Sequence, residues 1–174
     1  SRSGEHYDTR ISYSHMYQRG IYPNTKLNAD NFSINSGFDL TPKLRVEGHL
    51  NLNLQYTPNI PDVSYGPNSY AYIFRVYGTA DYDIRDLRNI YGGAQGVQDQ
   101  VQYAHEYGRV NNPWFMAEEW LRSHDKTDLY GTLSMSYKIN EDLTLMGRTQ
   151  VTTWSQLRTE KVPPSTNLNG YVGW

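Results

Sequence analysis

Residues 44–56, LRVEGHLNLNLQY, alternate without a break. Leu44, Val46, Leu50, Leu52, Leu54 and Tyr56 fall on one parity with Gly48, and Arg45, Glu47, His49, Asn51, Asn53 and Gln55 on the other. Successive side chains of a strand point to opposite faces, so the segment reads as a β-strand with one apolar and one polar face. Four more segments carry the same period: about 7–17, 32–40, 128–139 and 143–154. The last is less clean, because Met146 and Trp154 fall on its polar parity. Such a pattern fits a sheet between core and water. It fits equally the wall of a transmembrane barrel, between lipid and an aqueous lumen.

The connections separate the two. Thr41-Pro42-Lys43 and Asn140-Glu141-Asp142 read as tight hairpin turns. Residues 18–31 and 57–127 join the other strands. In an up-and-down sheet this puts short turns at one end and long loops at the other, the asymmetry of outer-membrane barrels. A loop as long as 57–127 is unusual in a compact soluble domain. Within it, residues 81–90 suggest a short helix. Residues 111–123 suggest another, with Asn112 as cap and Pro113 in the first turn.

Composition narrows the rest. The mean hydropathy is −0.75, and no run approaches the ~20 apolar residues of a transmembrane helix; barrel strands need no such run. The net charge of −2 argues against nucleic acid as a partner. With no cysteine, disulfide scaffolds and thiolate metal sites are excluded. Tyrosine stands out at 16, against 4 Phe and 4 Trp. A ring with a polar tip suits a boundary between apolar and wet regions, as in membrane girdles or sugar-binding grooves.

No constellation suggests an enzyme. Ser123-His124-Asp125 are adjacent in sequence, whereas a triad converges from separate elements. The five histidines lack metal-ligand spacing, and the glycines at 92, 93 and 96 lack a phosphate-loop context. Glu118-Glu119 and Glu141-Asp142 are neighbours that point apart. No cofactor is expected. The candidate residues are therefore for lining: Arg45, Glu47, His49, Asn51, Asn53, Gln55 and Arg148 would face a lumen or an internal plug. Among the loop aromatics Tyr65, Tyr70, Tyr72, Phe74, Tyr77, Trp114, Phe115 and Trp120, those at 65, 70, 72, 114, 115 and 120 are the candidates for substrate or lid contact. The same aromatics equally suit a small core of the loop's own.

Residues 13–51, YSHMYQRGIYPNTKLNADNFSINSGFDLTPKLRVEGHLN, carry a strand, a Q-R-G-x-x-P-N-T loop, a strand ending D-L-T-x-K-L, and a strand rich in alternating Asn. DIRDL, then YGRVNNPWFMAEEW, then DLYGTLSMSYKINEDLTLMGRTQV follow in order. Over roughly Tyr7 to Val151 this order and spacing resemble the early barrel of SusC/RagA-type TonB-dependent transporters. The resemblance implies an all-β fold: an antiparallel, up-and-down segment of a barrel of about 22 strands, with a long extracellular loop containing short helices. It also implies a bacterial outer-membrane location and import of large nutrients, glycans or peptides, energised through TonB, ExbB and ExbD. A SusD-like surface lipoprotein would act as lid, and outer-membrane lipid would surround the wall. No TonB box, plug domain or apolar signal segment is seen in these residues, and five strands cannot close a pore. The chain is therefore expected to be a segment of a longer polypeptide. A soluble carbohydrate-binding β-sandwich is the alternative, and a barrel enzyme or passive porin a further one.

Overall fold

The computed structural model describes residues 1–60, 62, 69–76, 83–91, 111–164 and 166. They form one antiparallel sheet in sequence order: β1 (Arg2–Ser3), β2 (Tyr7–Arg19), β3 (Lys26–Thr41), β4 (Leu44–Thr57), β5 (Leu121–Lys138) and β6 (Thr144–Lys161). Between β4 and β5 lie α1 (Tyr70–Val76), a 3₁₀ turn (Ile84–Arg88) and α2 (Pro113–Glu118). The protein is all-β, with an up-and-down sheet and few helices.

All five expected strands are present, with longer bounds. β3 begins at Lys26 rather than about 32, so the connection expected over 18–31 shrinks to residues 20–25. β5 begins at Leu121 rather than about 128, which shortens the long loop to 58–120, and β6 runs on to Lys161. β1 was not expected. The helix expected over 111–123 stops at Glu118, and α1 is new. Short turns at 42–43 and 139–143 do alternate with longer connections.

Two hairpin turns are fixed by short polar side chains. The Asn140 Oδ1 accepts from the backbone N–H of Asp142 at 3.0 Å and of Leu143 at 2.8 Å, the local bonding that makes Asn a turn residue. Thr41 Oγ1 accepts from the Lys43 N–H at 3.3 Å. In the β3–β4 ladder, Phe32 lies opposite Leu52, Ile34 opposite Leu50 and Phe38 opposite Val46, with a bulge between Asp39 and Thr41.

The chain divides into two compact units. The first holds residues 1–17, 28–56 and 125–157, the sheet proper. The second holds residues 18–27, 57–124 and 158–174. The buried hydrophobic core belongs wholly to the second: Tyr70, Ile73, Leu87, Ile90, Phe115, Met116, Ala117 and Trp120, with Tyr22, Ile84 and Trp114 packed against it.

Candidate functional site

The first unit is a single layer with two unlike faces. On one, Tyr13 stacks on Phe32 with ring centroids 4.8 Å apart. A Cβ at Gly131 would lie 3.6 Å from Leu50, which aligns β5 with β4 on that face. Large apolar side chains stand open along it: Ile34 is 42% exposed, Leu50 46% and Leu145 65%.

The opposite face gathers the polar parities. Arg45 is the hub of a charged cluster. It donates to Glu47 at 2.9 Å, to Asp39 at 3.1 Å, and to Asp8 of β2. One guanidinium thus ties three strands together, using the planar fork that distinguishes Arg from Lys. Farther along, His49 Nδ1 donates to Asn35 Oδ1, and the His49 ring lies 5.6 Å from that of Tyr130. Asn51 and Asn31 pair through their amides, Asn51 Nδ2 donating at 3.0 Å. Asn53 lies directly opposite Asn31 in the ladder, and Gln55 opposite Ala29.

A polar depression of about 370 Å³ opens on this face. It brings together Glu47, His49 and Arg148, all expected as lining residues, with Asp8, Asn35, Tyr130, Thr132 and Ser134. These last five were not among the expected residues, although each lies on the polar parity of its own strand. What the sequence lacked was the register: once Asn35 faces His49, the neighbours follow. Arg45, Asn51, Asn53 and Gln55 share the face but do not line this depression.

The loop aromatics occupy the second unit. Tyr70 and Trp120 are 3% exposed and Phe115 is fully buried, so these three form core and offer little surface to a ligand. Trp114 is half-buried: its Nε1 donates to the Ile84 carbonyl at 2.7 Å, and Arg88 lies over its ring at 5.2 Å. Tyr72 is half-buried. Tyr65 and Tyr77, and the side chain of Phe74, lie outside the described residues.

Asparagines, Asn59 and Asn112 of them buried, hold this unit together. Asn24, in a left-handed backbone conformation (φ 54°), and Asn59 both donate to the Ala117 carbonyl at 3.0 Å. Asn59 also accepts from the Arg122 N–H at 3.2 Å. Asn112 caps α2 through the Trp114 N–H at 2.9 Å and donates to the Leu87 carbonyl at 3.0 Å. Arg122 bridges Asp62 at 3.0 Å and Glu160 at 2.8 Å over the Trp120 ring. Burial raises the Tyr70 hydroxyl above the ordinary phenol range. Side-chain bonding to Arg85 holds the Asp83 carboxyl down at about 2.

Ser123, His124 and Asp125 are consecutive residues of β5, so their side chains alternate between faces rather than converge. Among the described residues no group of three or more His, Cys, Asp or Glu side chains is placed to hold a metal ion. Neither a protein-family model nor a curated protein matches the chain.

Proposed function

We propose that this chain is part of the wall of an outer-membrane β-barrel, in a TonB-dependent transporter of the SusC/RagA type that imports large nutrients such as glycans or peptides. The observation that carries this reading is the uncovered apolar face of a single-layer sheet. From Phe32 to Phe38 on β3, from Val46 to Leu54 on β4 and from Leu129 to Ile139 on β5, that face presents no charged side chain. The opposite face carries Asp8, Arg45, Glu47 and Arg148. Lipid selects the first composition and a watery lumen accepts the second.

A soluble sandwich needs a second sheet packed on the apolar face, and the described residues form one sheet. The up-and-down order, with short turns at 42–43 and 139–143 and the long connection at 58–120, supports the same choice. The resemblance of the ordered segments supplies the transporter class. In it the Arg45 cluster and the depression beside His49 face the plug and the passing substrate. The charged network costs little there, because water and counter-groups solvate it.

Energised uptake is the test. Cells that grow on a polymeric glycan or on peptides should lose that growth when the gene is deleted. They should lose it equally when TonB is inactivated with the gene intact. Growth that survives loss of TonB but not loss of the gene would point to a passive porin.

A further inference from the structure

The apolar face is not apolar along the whole length of its strands. Passing away from the hairpin turns, β3 presents Phe38, Ile34 and Phe32, then Asp30 and Asn28. β5 presents Met135, Leu133 and Leu129, then Thr127 and Asp125. β2 presents Ile11 and Tyr13, then His15 and Tyr17. The change falls at neighbouring positions, and side chains tie it together. The Tyr13 hydroxyl donates to Asp30 Oδ1 at 2.7 Å, and His15 Nδ1 donates to the same oxygen at 2.8 Å. The Tyr13 ring meanwhile rests on Phe32. One tyrosine thus has its ring on the apolar side of the change and its hydroxyl on the polar side.

Resting on the membrane reading above, we infer that the hydrocarbon layer ends at this rim, and that Tyr13, His15 and Asp30 contact lipid headgroups rather than acyl chains. The apolar stretch below it has the right height. Leu129 to Ile139 on β5, at ~3.3 Å per residue, runs ~33 Å along the strand. At a barrel tilt of ~40° this projects to ~25 Å, the height of an outer-membrane apolar band. An amphipathic ring at such a boundary is the usual place for tyrosine in a membrane protein. A carboxylate and an imidazole would be costly among acyl chains and are not so among headgroups. On β4 the residues opposite Asp30 and Asn28 are Leu54 and Tyr56, so the edge of the band steps outward there and a second tyrosine ring marks it, while β3 and β5 go on with Lys26 and Ser123 on that face.

These residues contain no cysteine, so a direct depth measurement needs only that any cysteine elsewhere in the whole protein be replaced by serine. Single-cysteine variants of the whole protein, S36C, L50C and L133C in the band and N28C and T127C beyond the rim, are labelled with a small fluorophore. S33C and N53C report the opposite face. All are reconstituted in phosphatidylcholine vesicles brominated in the acyl chains. Strong quenching is expected at 36, 50 and 133, falling several-fold at 28 and 127 and at the two opposite-face sites. Quenching at 28 and 127 as strong as at 50 would overturn the rim while leaving the lipid-facing assignment intact. Quenching that is absent everywhere, or equal on both faces, would overturn the membrane reading and the inference with it.

Discussion

Asn59 is 1% exposed and makes both kinds of bond available to an amide, donating to the Ala117 carbonyl and accepting from the Arg122 N–H. Replacing it with alanine takes the acceptor from the Arg122 N–H and leaves the Ala117 carbonyl with Asn24 as its side-chain donor, so the cost falls mainly on the N–H left without this partner. N59A should destabilise the second unit by about 1–3 kcal/mol, read as lost amide-exchange protection at Arg122 and α2. Asp83 gives a pH-dependent counterpart. Its carboxyl accepts from the Arg85 backbone N–H at 2.9 Å and from the Arg85 side chain. Its pKa falls from 3.8 to about 2. A depressed carboxylate contributes fully above its unfolded value and loses that contribution as pH falls through its folded one. The start of the 3₁₀ turn should therefore hold above pH 3.8 and loosen as pH approaches 2. Amide shifts of Arg85 across that range would show it, and D83N should abolish the transition.

At the scale of elements, β4 carries the sharpest prediction. Leu52 points to the apolar face and Asn53 to the polar one. An arginine at Leu52 should cost about 2–4 kcal/mol in barrel stability if that position lies near mid-bilayer. An arginine at Asn53, beside charges and water, should cost far less. Equal costs in detergent or bilayer unfolding would remove the distinction between the faces. In the second unit, Phe115→Ala opens a hole in a fully buried site and should cost about 3–5 kcal/mol, visible as early loss of α2 while the sheet persists.

The same elements show what could be read in advance. β4 and the middle of β3 and β5 were legible because their period of two is driven by unlike surroundings on the two sides. In the first residues of β3, KLNADN, Leu27 and Ala29 fall on the parity that is polar farther along, and the first residues of β5, LRSHDKTD, are polar on both parities after Leu121. Where both faces of a strand are polar, the sequence has nothing to alternate. α1, YAYIFRV, consists largely of residues that favour strands, and packing of Tyr70 and Ile73 into the core overrides that preference. Arg45 and His49 could be placed on a face from sequence. Their partners Asp8 and Asn35 needed the ladder.

At the scale of the whole molecule, the second unit has a core of its own, and the sheet of the first does not. The first unit has no buried hydrophobic cluster among the described residues, and it exposes large apolar side chains on every strand from β2 to β6. The outer strand β6 is long, 18 residues, and exposed along nearly its whole length. An edge of that length invites pairing with a further strand, and in lipid its backbone groups must be paired. The proposed barrel wall would answer both needs at once: lipid would cover the apolar face, and neighbouring strands would cover the edges. The measurement that tests this most directly is the partition and intact mass of the protein from its native cells. The account predicts a species that stays with the membrane through alkaline washing, is released by detergent, and has the mass of a complete transporter rather than the 20.2 kDa of these residues. A folded monomer of that smaller mass, soluble without detergent, would contradict it.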